Sequence, residues 1–255
     1  MKTYGRRDTL VNIDIAEGIA LLKMENGTHN RFNSDFIDEF QGVLDRFESG
    51  ENARAIVITN NGKYFTEGMD IEWVMNLSSE VMTEFFINLF RFFHRVFTYP
   101  LPVVAGINGH AIASGLAFAM CSDVRVMRSE KAVCSFPEVD LHIEPPPGCI
   151  EMVAHAIGRY KTEKAFLTGR PYRGEAALAM GFADELVDSN KVLDRTIEIA
   201  KELASKPLST YSAIKMISRG EIASSMLKAN EKYIRGSQLV SMFQGCDLDC
   251  LRSLS

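Results

Sequence analysis

Two glycine-containing turns hold the residues whose types and spacing can do chemistry. Thr66-Glu67-Gly68-Met69-Asp70 follows the apolar run AIVIT at 55–59, and Ala113-Ser114-Gly115 follows PVVAGIN at 102–108. Each turn joins a predicted strand to the start of a helix. The first N–H groups of a helix have no internal partner, and the dipole there favours negative charge. Two such ends converging would make an oxyanion hole, a pair of donors for an oxygen that gains charge during reaction. Taken singly, each turn also reads as tight packing, because small residues let backbones approach.

The elements that must position these turns are legible from periodicity. TLVNIDI (9–15) and GIALLKM (18–24) read as a hairpin around Glu17-Gly18. Ser34 is placed to cap a helix over 35–48, with Phe36, Ile37, Phe40, Val43, Leu44 and Phe47 at helical spacing. A strand is expected over 53–59, a loop and short helix over 63–74, and a phenylalanine-rich helix over 80–98. Strands follow at 102–108, 123–129 and near 132–135. EPPPG (144–148) breaks structure before a helix at 149–157. Two short helices joined at Gly169 span 161–181. A strand at 184–187 precedes helices over 190–205 and 208–235. Strand–helix units followed mostly by helices predict an α/β core with a C-terminal helical region. No repeat, low-complexity tract or clear linker interrupts the chain.

Composition narrows the class. The 255 residues are 46% hydrophobic and 24% charged, as in an ordinary globular protein, and the net charge is −5. That balance argues against a nucleic-acid partner, which wants a basic face. Five cysteines, an odd number, fit a reducing compartment better than a disulfide framework. Cys246 and Cys250 lack a second Cys/His pair at ligand spacing, so no metal is expected. No apolar run reaches membrane-spanning length. The N-terminal MKTYGRRDTL lacks a signal-peptide core, and the final Ser-Leu-Ser is not the peroxisomal address, so a cytoplasmic location is expected. No nucleotide-binding G-x-G-x-x-G is apparent, and no redox cofactor is expected.

Taken together, the motifs resemble the crotonase superfamily, that is, the enoyl-CoA hydratases and isomerases. RFNSDFIDEF is similar to the first active-site loop and helix. ITNNGKYFTEGMDIEW and PVVAGINGHAIASGLAFAMCSD are similar to the two donor segments. CSFPEVDLHIEPPPG is similar to the segment with the catalytic glutamate. AFLTGRPYRGEAALAMGFADELV and ELASKPLSTYSAIK are similar to the later helical segments, so the likeness covers nearly the whole chain. The texture is nearest to the monofunctional Δ3,Δ2-enoyl-CoA isomerases. The resemblance implies a spiral of ββα units (residues 1–190) with a C-terminal helical trimerisation region (191–255), assembled as a homotrimer or hexamer. It implies an acyl-CoA substrate, with coenzyme A belonging to the substrate and no separate cofactor.

Carried over position by position, the donors are the N–H groups of Met69 and Ser114. Ser114 departs from the family, where glycine is usual. Hydratases carry two glutamates around a water. One corresponds to Ala117 here, which can neither orient nor deprotonate water. The other corresponds to Glu138, whose neighbours Phe136, Pro137, Val139 and Leu141 are expected to raise its pKa. One acid without its partner is the isomerase pattern: the base takes the C2 proton of a 3-enoyl thioester and returns it to C4.

Thr66, Glu67, Gly68, Asp70, Ile71 and Gly115 are expected to border the substrate, Glu67 with its side chain toward solvent. Arg31 and Lys215 are candidates for the coenzyme A phosphates. Some phenylalanines of 80–98 are expected along the acyl tail. Glu144 and Asp140 are rival second acids, and His110 and His142 receive no role. The alternatives are another thioester enzyme of this type, a hydratase or thioesterase, or a non-catalytic CoA- or RNA-binding relative.

Overall fold

The computed structural model describes residues 2–4 (backbone), 9–236 and 243. Cys246, Cys250 and the Ser-Leu-Ser end lie outside them. Strand β1 (Lys2–Tyr4) pairs antiparallel with β2 (Val11–Ala16), which forms the expected hairpin with β3 (Ile19–Met24). Glu17 (φ 52°) and Gly18 (φ 77°) supply the two positive φ angles that a tight hairpin turn demands.

From β3 onward the large sheet is parallel. It continues through β4 (Ala55–Asn60), β6 (Val103–Ile107), β8 (Val124–Arg128) and β10 (Glu185–Val187). β4 and β6 are buried along their whole length, as central parallel strands must be. A second sheet holds three very short parallel strands: β5 (Tyr64–Thr66), β7 (His110–Ile112) and β9 (Cys134–Ser135).

The chain thus repeats one unit. A strand in the large sheet leads to one in the small sheet and then to a helix. The helices so reached are α2 (Ile71–Val74) with α3 (Ser79–Phe97), α4 (Ser114–Met120) and α5 (Pro147–Ile157). This is the expected ββα spiral. The repeat lines up the ends of β5, β7 and β9 side by side, and the two turns and the Glu138 segment leave from those ends.

Helix α1 (Ser34–Glu48) buries the six apolar residues expected of it, but its cap is Asn33 rather than Ser34: Asn33 Oδ1 accepts from the Phe36 N–H at 2.9 Å. α5 starts two residues before expectation because Pro147 fits the first turn, where no N–H is needed. α6 (Arg159–Thr168) and α7 (Gly174–Met180) are joined through Gly169, φ 60°. α8 (Val192–Ala204) covers one face of the large sheet through Val192, Ile199 and Ala200. The other face packs on phenylalanines, with Phe32, Phe40, Phe92 and Phe93 around Phe118. Among the described residues, no helix is long and apolar enough to cross a membrane.

α9 (Leu208–Gly236) is fixed by a buried ionic cluster. Lys215 Nζ lies 2.6 Å from Asp123 Oδ2 and donates to the carbonyls of Tyr99 and Leu101. Arg219 pairs with Asp123 Oδ1 at 2.9 Å, and the Tyr211 hydroxyl donates to Asp123 Oδ2. Lys215 is 5% exposed, so it is a fastener of α9 and not the expected phosphate ligand. Removing one partner of such a cluster strands the others away from water. Asp123→Ala is therefore expected to cost about 3–5 kcal/mol of stability, read by chemical denaturation.

Candidate functional site

The two turns meet because β5 and β7 are hydrogen-bonded neighbours. A Cβ on Gly115 would overlap the Thr66 carbonyl oxygen and stand 2.9 Å from the Gly68 nitrogen. A Cβ on Gly68, whose φ is +92°, would lie 2.5 Å from Ser114 Oγ. Small residues are therefore required for backbone-to-backbone approach.

Thr66 is fully buried. Its hydroxyl donates to the Asn30 carbonyl at 2.7 Å and accepts from the Gly68 N–H at 3.0 Å, which braces the first turn from behind. On the outer side, the Phe32 N–H bonds to the Gly68 carbonyl and the Asp70 N–H to the Phe32 carbonyl. Ala113 turns the chain into α4 at φ 51°, ψ −127°, a conformation that costs a non-glycine residue energy.

The Met69 N–H donates to Ser114 Oγ at 3.0 Å. The first expected donor is thus already engaged, by the side chain of the residue expected to supply the second.

Glu138 enters from the turn after β9, where the Ile143 N–H bonds back to its carbonyl at 2.9 Å. Its Oε2 is shut off from solvent and, among the described residues, has no hydrogen-bond partner. Burial pushes the carboxyl up to about 8, partly offset by a bond to its own backbone N–H. Of the neighbours expected to do this, Phe136 is buried against Phe166, but Val139 is 47% exposed. Leu141, also expected, is buried and belongs to the cleft wall, which supplies the rest of the apolar surroundings. That cleft, about 600 Å³ with its open mouth, is lined by Glu67, Met69, Ile71, Ala113, Ser114 and Glu138, with Phe86, Phe90, Leu141, Ile143, Cys149 and Phe243.

The remaining expected residues divide. Ile71 faces the cleft, while Asp70 caps α2 by accepting from the Trp73 N–H at 3.2 Å. Glu67 was expected toward solvent. It borders the cleft instead, and its Oε2 takes a 2.6 Å bond from Arg31 Nε. Arg31 also lies 4.0 Å from Asp70, so two carboxylates already balance the cation expected at the phosphates. Of the phenylalanines on α3, Phe86 and Phe90 reach the cleft, and the others fill the core.

Ala117 is fully buried inside α4. Glu144 is exposed at the cleft's edge, where the Tyr233 hydroxyl donates to it at 2.8 Å. Asp140 is exposed and packs against Gly169. Cys149, Tyr233 and Phe243 were not anticipated. Cys149 lies on α5 and Tyr233 on α9, Phe243 follows α9 in sequence, and their spacing carries no sign of the cleft.

A family model described as enoyl-CoA hydratase/isomerase matches residues 14–244. The chain belongs to that family. It is 34% identical over 165 residues to a Thermus thermophilus protein that bears an enoyl-CoA hydratase name, covering 64% of each chain. It is 28% identical over 194 residues to enoyl-CoA delta isomerase 3 of Arabidopsis thaliana, covering 73% of this chain and 81% of that one. A solved Mycobacterium tuberculosis chain superposes with TM-score 0.83 at 26% identity, over 89% of this chain and 98% of that one. One structure of that protein is described as an isomerase and another as a hydratase. Isomerase and hydratase names both occur among the relatives.

Two outcomes follow from this geometry. Gly115→Ala must push the turns apart and is expected to cost about 1–3 kcal/mol, measured by denaturant titration. Glu138 binds its proton up to about 8 in the folded chain but only near the ordinary 4.5 when unfolded. The proton therefore stabilises the fold fully below 4.5, and the benefit is lost as pH rises through about 8. Glu138→Gln should lack this decline, so its unfolding free energy, followed from pH 5 to 9, should gain on the parent chain.

Proposed function

We propose that this enzyme isomerises 3-enoyl-CoA thioesters to 2-enoyl-CoA. The observation that carries the reading is Glu138, whose Oε2 is sealed from solvent in an apolar cleft beside the two turns, and it is supported by Ala117 standing where the family resemblance puts the second acid of hydratases. The thioester oxygen is held at the meeting point of the turns. The Glu138 carboxylate removes a proton from C2, and the electrons of the C–H bond pass into a dienolate whose negative oxygen the donors stabilise. The protonated carboxyl then delivers that proton to C4, and the double bond settles between C2 and C3. No atom is gained or lost, and water is not consumed. A base raised to about 8 is well matched to this work near neutrality, since its conjugate acid must also give the proton back. Phe86, Phe90, Leu141 and Ile143 offer the acyl chain an apolar wall. Exposed Ile214 and Ile217 on α9 support assembly into the proposed trimer or hexamer.

Glu144 gives the hydratase reading its one structural support, because it borders the same cleft. Its carboxylate is solvent-exposed and tied to Tyr233, which favours a role at the rim.

Offered both substrates, the purified protein is expected to convert 3-enoyl-CoA and to hydrate 2-enoyl-CoA little. Glu138→Gln should lower the isomerisation kcat by about 10²–10⁴-fold. Because the carboxylate is the active form of the base, kcat/KM should rise with pH toward about 8 and then level. Ready hydration abolished by Glu144→Gln would overturn the assignment.

A further inference from the structure

The family pattern asks only main-chain amides of the two turns, yet here a side chain stands between them. Ser114 Oγ accepts the Met69 N–H at 3.0 Å and sits in the notch left by the missing Cβ of Gly68. Ser114 is 9% exposed and lines the cleft. A hydroxyl has one proton to give and two lone pairs with which to accept. One lone pair is used by Met69, and among the described residues no acceptor takes the hydroxyl's own proton.

We propose that the Ser114 hydroxyl, not the Met69 amide, is the group that touches the thioester oxygen. Met69 then acts at one remove. Its N–H polarises Oγ, and the O–H so strengthened bonds the substrate oxygen alongside the Ser114 N–H. Chained hydrogen bonds reinforce one another in this way when water is excluded. The notch at Gly68 favours relay over displacement. It gives Oγ a seat between the turns, and leaving that seat would strip the partly buried Met69 N–H of its acceptor. The inference rests on the thioester reading above, but not on which reaction follows, because any chemistry on the acyl group loads the same oxygen.

Two measurements test it together. The first is the carbonyl stretch of a saturated, carbonyl-labelled acyl-CoA bound to the protein, read by difference infrared spectroscopy. The second is kcat for 3-enoyl-CoA. Ser114→Ala keeps the backbone amide, removes the hydroxyl and leaves Met69 unmasked. It should lose most of the red shift of the bound carbonyl and about 10²-fold in kcat, while its melting temperature falls only by what one lost hydrogen bond allows, a drop of about a few degrees. Ser114→Gly should behave likewise.

A deeper red shift or faster turnover in either variant would show that the hydroxyl merely plugs the hole, and would overturn the proposal. Unchanged values in both variants would do the same. Should the parent chain bind the labelled thioester with a Ser114-dependent shift but isomerise nothing, the isomerase assignment fails while this one stands. Absence of any thioester binding defeats both.

Discussion

Contact between two stretches of bare backbone governs this molecule. The turns after β5 and β7 approach so closely that Gly115 has no room for a methyl group against Thr66, and Gly68 none against Ser114. Much of the surrounding structure holds that contact in place. The small parallel sheet sets the turns side by side, the buried Thr66 hydroxyl supports one from below, and the Phe32–Met69 bridge clamps it from outside. What results is a polar spot in an otherwise apolar cleft, built from main-chain groups of the two turns and the Ser114 hydroxyl seated between them. Donors held this rigidly need no reorganisation when charge appears, which is what the proposed oxyanion site requires.

Glu138 is the counterpart of that spot. A carboxyl with an oxygen sealed from water and, among the described residues, without a hydrogen-bond partner is an unfavourable thing to fold. The chain tolerates it by letting the group keep its proton until about pH 8. Its position is secured indirectly. The segment from Pro137 to Ile143 is wound by backbone bonds, and the helix that follows is held where the Gly148 N–H donates to Asn230 Oδ1. The destabilised acid and the preorganised donors thus belong to different parts of the chain and share only the cleft.

Most of the fold was legible in the sequence, since long elements announce themselves. The alternation of residues 9–24, the stripe of α1 and the phenylalanines of α3 gave the correct elements within a residue or two. Strands β1, β5 and β7, three residues each and too short to display a period, escaped, although β9 and β10, which are no longer, were expected. The burial of β5 and β7 comes from neighbours distant in sequence. At the site, the two turns could be read from glycine placement, and the acid from family likeness.

Side-chain partnerships could not be read in advance, and each depended on packing. Glu67 turned inward because Arg31 was there to meet it. Lys215 vanished into the core because Asp123 was already buried beneath α9. The Ser114 hydroxyl found the Met69 amide because Gly68 left the gap. Charged and hydroxyl groups follow whichever partner the fold supplies, and spacing along the chain does not name it.

The cleft's edge has one further consequence. Tyr233, which holds Glu144, and Phe243, which packs on Phe86, come from the far end of the chain, whereas both turns and Glu138 lie before residue 140. During synthesis, therefore, the two turns, Glu138 and most of the apolar wall leave the ribosome before Tyr233 and Phe243, which complete the cleft's edge. A nascent chain halted after α7 would carry every group proposed for the chemistry but would still lack Asn230 and Tyr233, which hold the segment that follows Glu138.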